Sequence, residues 1–200
     1  MKVVCLMGSP RRNGNSARLA NHLLEQLKGH GAEIQCFELN TLQMRGCQAC
    51  DACKRTHERC VIDDDLSEVL DTVFAADLLV FASPVYYGDV SAQLKTFIDR
   101  SYSFLKPRYI TLEHPNRFPQ RKPLVFILTQ GHRDGRVFED ILPRYSQIFH
   151  WTGFAETTPV RVVDVYHPGD ADEKSPEVFL QLEKYAAEFA AKGASDKESA

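Results

Sequence analysis

The 200-residue sequence predicts an α/β protein, a doubly wound parallel sheet of five strands with helices on both faces. Three observations lead there. Short apolar runs alternate five times with stretches whose apolar residues fall at helical spacing, as in a chain that returns through a helix after each strand. The runs are continuously apolar, as in Leu78-Leu79-Val80-Phe81-Ala82 and Leu124-Val125-Phe126-Ile127-Leu128, the pattern of strands buried on both faces. Turn-forming residues follow the first, third and fourth runs, so the loops that can carry a site leave one edge of the sheet, where ligands of open α/β sheets bind.

Val3-Val4-Cys5-Leu6-Met7 forms the first strand and stops at Gly8. After the loop 8–16, Leu19, Leu23, Leu24 and Leu27 line a helix that ends at Gly29, with Gly31 as a further stop. Ile34, Cys36, Phe37 and Leu39 make the second strand, and a cysteine-rich loop, 46–62, follows. Asp63-Asp64-Asp65 opens a helix carrying Leu66, Val69, Leu70 and Val73, its acids at the positive end of the helix dipole. The third strand, 78–82, is the most apolar and gives way to the loop Ser83-Pro84-Val85-Tyr86-Tyr87-Gly88. A helix from about Val90 carries Leu94, Phe97 and Ile98, and the polar, basic, proline-broken residues 102–122 read as an excursion loop. The fourth strand, 124–128, leads through Thr129-Gln130-Gly131 to a helix near 135–150, with Trp151 packed behind it. Val160, Val162, Val163 and Val165 make the fifth strand. A last helix spans about Pro176 to Lys192, with a frayed tail at 193–200. Cys5 and Cys36 read as small buried apolar residues. No linker interrupts the pattern, so residues 1–200 are expected to form a single domain.

A net charge of −3 argues against nucleic acid as the main partner. No apolar run approaches the roughly 20 residues a membrane span needs. The segment Met1–Met7 lacks the longer apolar core and cleavage site of a secretory signal. The expectation is a cytoplasmic protein with no membrane partner and reduced cysteines.

Four of the six cysteines fall within fourteen residues, as Cys47-x2-Cys50-x2-Cys53-x6-Cys60. Reduced thiolates this dense point to a metal or cluster site. Six extended residues span roughly 20 Å, enough for the fourth thiolate to close round a 4Fe–4S cube, which takes four cysteine ligands. Structural zinc also takes four, usually as two separated pairs. Disulfides need an oxidising compartment, and four idle thiols are the bland reading.

Gly8-Ser9-Pro10-Arg11-Arg12-Asn13-Gly14-Asn15-Ser16 lies between a buried strand and a helix. Its glycines and asparagines tolerate left-handed backbone, so amides can turn inward as an anion nest. Ser16 stands where a helix cap belongs, and the helix start adds roughly half a positive charge. Arg11 and Arg12 add full charge, while Ser9, Asn13 and Asn15 add side-chain donors. A phosphate monoester suits this loop. The Walker pattern would need a lysine and the dinucleotide fingerprint a third glycine, and both are missing. Glu38, placed like a ribose-binding acid, reads instead as a solvated strand end. Beside the loop, Pro84-Val85-Tyr86-Tyr87-Gly88 offers backbone N–H groups and flat side chains to the edge and face of a flavin ring.

The phosphate loop, taken with Ser-Pro-Val-Tyr-Tyr-Gly-Asp-Val-Ser-Ala-Gln-Leu-Lys-Thr-Phe-Ile-Asp-Arg at 83–100, resembles the NADPH-dependent FMN reductase family of flavodoxin-like proteins. The cysteine insert is similar to that of its iron–sulfur flavoprotein branch. The resemblance covers roughly residues 2–165. It implies strand order 2-1-3-4-5, FMN at the carboxyl edge of the sheet, a 4Fe–4S cluster beside it, and a homodimer or homotetramer with flavins near subunit interfaces. Carried over by position, it gives Ser9, Arg11, Asn13, Asn15 and Ser16 to the FMN phosphate, and Pro84, Val85, Tyr86, Tyr87 and Gly88 to the ring. Thr129 and Gly131 lie across the ring, and Cys47, Cys50, Cys53 and Cys60 ligate the cluster.

The function expected is an oxidoreductase passing electrons between FMN, the cluster and a donor, either ferredoxin or NAD(P)H. Because the cofactors carry the chemistry, no catalytic acid, base or nucleophile is expected. A cluster-free NAD(P)H-dependent FMN or quinone reductase and a non-enzymatic FMN-binding thiol sensor are the alternatives. His57 and His132 read as exposed loop histidines, the alternatives being a hydrogen bond from His57 that tunes the cluster and a proton relay by His132 near the ring edge. The excursion carries Lys106, Arg108, Arg117, Arg121 and Lys122 against Glu113, and reads equally as a solvated surface and as a dock for an acidic carrier or the 2′-phosphate of NADPH.

Overall fold

The computed structural model describes the backbone of residues 1–198, and side chains except those of Ala155, Glu156 and everything past Lys192. In chain order the elements are β1 (Lys2–Met7), α1 (Asn15–Gly29), β2 (Glu33–Glu38), α2 (Ala52–Arg55), α3 (Leu66–Ala75), β3 (Leu78–Tyr86), β4 (Asp89–Val90), α4 (Ala92–Arg100), β5 (Lys122–Thr129), α5 (Ile141–Thr152), β6 (Phe154–Val162), α6 (Asp170–Lys174) and α7 (Pro176–Glu198).

Five strands run parallel in the order β2-β1-β3-β5-β6, and β4 pairs antiparallel with the end of β3. The expected order, 2-1-3-4-5, omits β4, a two-residue strand too short to show in the apolar pattern. Within each apolar run the side chains alternate between two cores. Val4, Leu6, Leu79, Phe81, Leu124 and Phe126 face α3, α4 and α5, whereas Val3, Cys5, Leu78, Val80, Val125 and Ile127 face α1 and α7. A strand between two helical layers has no wet face, which is why the period of two is invisible in its hydrophobicity.

Several boundaries differ from expectation. β3 runs four residues past Ala82, to Tyr86, because Val85 pairs with Val90 and Tyr86 with Asp89 in a hairpin. Its tip, Tyr87 and Gly88, has φ of 49° and 79°, the two positive values of a type I′ turn. The last strand spans 154–162 rather than 160–165; it is an edge strand, which tolerates Pro159 and polar residues that conceal it in the sequence. The helix expected near 135–150 begins only at Ile141. Before it, buried Gln130 donates to the carbonyls of His132 at 2.9 Å and Val137 at 3.3 Å, holding that stretch in turns. Trp151 is on α5 but 45% exposed, not packed behind it. Cys36 is exposed too, because β2 is the other edge strand. α7 continues to Glu198, past the expected end near Lys192; Ser199, Ala200 and the side chains from 193 onward, where fraying was expected, lie outside the described residues. Among the described residues no helix is long and apolar enough to cross a membrane.

Candidate functional site

The phosphate loop leaves β1 at Gly8, whose amide bonds the Ala82 carbonyl at 2.8 Å and so ties the ends of β1 and β3 together. A side chain here has no room: a Cβ on Gly8 would lie 2.7 Å from Ser91 Oγ and 3.0 Å from Leu94 Cβ. The loop then curls on itself. Ser9 Oγ accepts the Arg11 amide at 3.0 Å, and Gly14 N–H donates to the Arg11 carbonyl at 3.0 Å. Gly14, not Ser16, caps α1, with no side-chain cap bond; Ser16 lies buried in the first turn. The uncapped amides of that turn therefore point at the loop with the helix dipole behind them, a fit for phosphate.

The predicted phosphate residues divide. Ser9 and Asn13 stay at the loop, with Asn13 exposed. Arg11 Nη1 reaches the Tyr166 carbonyl at 3.3 Å, and Glu38 is the exposed end of β2, as expected, where it also pairs with Arg12 at 2.8 Å. Asn15 turns inward: its Nδ2 donates to the His167 carbonyl at 2.9 Å, and its Oδ1 accepts from Gly169 and Ala171, each at 3.2 Å. Asn15 thus fastens α1 to the segment after β6. Nothing in the local sequence signals this link, because its partners lie about 150 positions away.

On the ring side, Pro84 and Val85 are in β3 and the Tyr87 side chain stands fully in solvent. Pro84 pairs with Thr129 in register, so the hairpin and the exit of β5 are neighbours. Thr129 is buried, and beyond it Gly131 sits so close to Tyr166 that a Cβ would meet its ring at 3.0 Å. The hairpin is braced from below. Asp89 accepts from Tyr145 Oη at 2.7 Å, Val90 N–H at 2.7 Å and Arg144 at 2.8 Å. Burial pushes the Asp89 carboxyl up, but the bonds from Tyr145, Arg144 and Val90 outweigh it and hold the carboxyl below its ordinary value. The Tyr145 phenol is pushed far up, by burial first and then by Asp89.

Cys47, Cys50, Cys53 and Cys60 line one cavity of about 20 Å³, walled on its other side by Arg100 and Tyr102. Among the described residues no three Cys, His, Asp or Glu side chains converge to hold a single metal ion. Two cations face the sulfurs. Arg100 Nε donates to Cys60 Sγ at 3.0 Å, and Lys54 Nζ lies 3.5 Å from Cys53 Sγ. The rest of the Arg100 fork donates to Asp64 at 2.9 Å and to the carbonyls of Arg45 and Ile62, each at 3.0 Å. Its side chain has no solvent exposure, so every donor must find a partner inside. Lys54 also donates to the carbonyls of Tyr102 at 2.6 Å and Leu105 at 2.9 Å; burial lowers its pKa. Arg117 reaches the Cys53 carbonyl at 3.0 Å.

The excursion is therefore partly structural. Arg117 holds the cysteine loop, and buried Lys122 donates to the Ala76 carbonyl. His57 pairs with Thr56, and the exposed His132 accepts the Asp134 amide; neither touches a cysteine. Sequence reasoning missed Arg100, Asp64 and Lys54. Asp64 was legible only as a helix-start acid, a role it also fills by accepting the Leu66 amide. Ser91, at the start of α4, touches the phosphate loop, while Arg100, at its end, holds the cysteine loop. They are nine positions apart along the helix, about 13.5 Å of rise.

The parallel sheet between two helical layers makes this a doubly wound α/β protein, and the loop after β1 and the aromatic hairpin after β3 form a candidate ligand site at its carboxyl edge. Residues 1–151 match the NADPH-dependent FMN reductase family, and the chain belongs to that family. It is 39% identical over 100 residues to an iron–sulfur flavoprotein of Archaeoglobus fulgidus, covering 50% of this chain and 45% of that one. It is 40% identical over 101 residues to an iron–sulfur flavoprotein of Methanosarcina thermophila, covering 50% and 52%. The chain thus spans about half the length of these curated relatives. In fold it is similar to an NAD(P)H:quinone oxidoreductase of Methanothermobacter marburgensis, with a TM-score of 0.70 at 18% identity over 93% of this chain and 95% of that one.

Proposed function

We propose that this chain is a flavin-dependent oxidoreductase that binds FMN at the carboxyl edge of the sheet and a 4Fe–4S cluster in the cysteine loop, passing electrons between them and a donor, NAD(P)H or a ferredoxin-like carrier. When bound, FMN supplies two-electron chemistry and a cluster one-electron chemistry; the protein's part is to bind and orient them. In this reading the first-turn amides of α1, with Ser9 and Asn13, receive the phosphate. Ser16 and Asn15 shape that turn from within, and Arg11 sets its outer wall. Pro84 to Gly88 face one side of the ring, with Thr129 and Gly131 on the other. Cys47, Cys50, Cys53 and Cys60 ligate the cluster, while Arg100 and Lys54 hold donors toward its sulfurs, the kind of hydrogen bond that raises a cluster's potential.

The observation that carries this reading is that all four thiols line one cavity, with Arg100 donating to Cys60 Sγ and Lys54 to Cys53 Sγ. Residues 1–200 act as one domain, in the cytoplasm, and copies assemble into a dimer or tetramer. Half-buried Lys106 and exposed Arg108, left over from bracing the cysteine loop, meet an acidic carrier; reversing both charges raises the Michaelis constant for that carrier and flattens its salt dependence.

Purification without oxygen tests the proposal. The expected preparation contains FMN, iron and sulfide in about fourfold amounts per chain, and a paramagnetic signal on reduction. FMN with zinc, or with no metal, would make this a cluster-free FMN or quinone reductase. Reversible thiol oxidation with no turnover would make it a sensor.

A further inference from the structure

The two cysteines outside the loop form a site of their own. Cys5 on β1 and Cys36 on β2 are direct partners in the parallel register, so their side chains leave the same face of the sheet. Cys5 is fully buried, whereas Cys36 is exposed. Cys36 lines a polar cavity of about 100 Å³ with Ser9, Arg11, Arg12, Asn21 and Glu38. The neighbouring Cys5 thiol is the main reason the Cys36 thiol is more acidic than usual, against the opposing effects of burial and Glu38. The same contact, with burial, makes Cys5 the weaker acid. One thiol is therefore readied as a nucleophile and its neighbour keeps the proton. Adjacent strands lie about 4.7–4.9 Å apart, inside the roughly 4.4–6.8 Å between Cα atoms that a disulfide bridges.

We propose that Cys36 and Cys5 are a peroxide-reactive thiol pair that closes into a disulfide between β1 and β2. The reagent class follows from the cavity: its lining includes Arg11, Arg12 and several polar side chains, and it has room for a few water-sized molecules, which suits a small hydroperoxide. In the first step the Cys36 thiolate attacks one peroxide oxygen. An S–O bond forms, the O–O bond breaks, and hydroxide leaves to take up a proton as water. In the second step Cys5 gives up its proton and attacks Cys36 Sγ. The S–S bond forms, the S–O bond breaks, and a second water leaves. Two thiols and one hydrogen peroxide thus become one disulfide and two waters, and a dithiol reductant reverses the change. The cavity shares Ser9 and Arg11 with the phosphate loop and includes none of the loop cysteines.

The test is thiol mapping of the full chain after a few equivalents of hydrogen peroxide, with free thiols alkylated in denaturant before reduction and a second label added after it. Cys5 and Cys36 should lose the first label together, appear as a linked peptide, and regain thiols with dithiothreitol. Cys5→Ser should leave Cys36 as a sulfenic acid trapped by dimedone, and Cys36→Ser should leave Cys5 fully alkylated. If both residues keep the first label at a dose that oxidises the loop cysteines, or if Cys5 is lost equally in Cys36→Ser, the pair is inert and the proposal fails. Should Cys5→Ser not fold, the wild-type map and Cys36→Ser decide the question.

Discussion

The two ends of α4 are built on different principles. At its start, the hairpin and phosphate loop are positioned by sheet register and by one glycine with no room for a Cβ. At its end, the cysteine loop has only one four-residue helix, with two non-glycine residues, Ala49 and Asp51, at positive φ. What holds that loop is a set of charged side chains: Arg100 and Arg117 reach in to its carbonyls and a sulfur, Lys54 reaches out to the Tyr102 carbonyl, and Asp64 and Asp65 accept the amides of Arg45 and Gln43. A site set by register fails gradually, because many ladder bonds share it. A loop set by one buried guanidinium should fail with that group.

Replacing Arg100 therefore has the largest expected effect. Arg100→Met leaves Asp64, 8% exposed, without its cation and frees the carbonyls of Arg45 and Ile62. Breaking a buried pair this way costs about 3–5 kcal/mol. Urea unfolding should show that loss, and proteolysis should cut first within 46–62. Arg100→Lys should recover only part of it, because an ammonium cannot span four partners fixed in a planar fork. A loss below about 1 kcal/mol would mean that the loop does not depend on this contact.

At the other end, Gly8→Ala places a methyl 2.7 Å from Ser91 Oγ, 3.0 Å from Leu94 Cβ and 3.1 Å from the Ala82 carbonyl. Overpacking of this kind costs about 1–3 kcal/mol. If the ends of α4 are independent, flavin affinity measured by fluorescence titration should fall while iron content stays the same. Loss of both together would show that α4 transmits the disturbance.

This contrast also explains what the sequence reveals. Register-built parts leave local signals: the apolar runs, the glycine at the end of β1 and the Tyr-Gly tip of the hairpin are visible because adjacent residues create them. The cysteine quartet is visible as spacing, but its supports are not. Arg100 sits in a helix among Lys95, Asp99 and other charges, and nothing local separates a buried guanidinium from a solvated one. The second role of Asn15 is hidden for the same reason: its neighbours suggest a phosphate donor, and its bonds to 167–171 leave no local mark. β6 was obscured by chemistry rather than distance, since an edge strand accepts the Thr-Thr-Pro run that a central strand would reject.

The smallest of the three effects probes the hairpin's brace and carries its own control in pH. Asp89→Asn keeps the shape but weakens the bonds from Tyr145, Arg144 and Val90. Because the Asp89 side chain is 36% exposed, the expected cost near neutrality is only about 1 kcal/mol. Folding holds this carboxyl below its unfolded value. Between the two values the unfolded chain therefore binds the extra proton, and stability must fall as the pH drops. The wild-type advantage should be complete above about pH 4, the unfolded carboxylate value, and shrink as the pH falls through the lower folded value. A difference that persists unchanged at lower pH would assign the cost to lost packing rather than to the carboxylate, and the hairpin would then rest on its register alone.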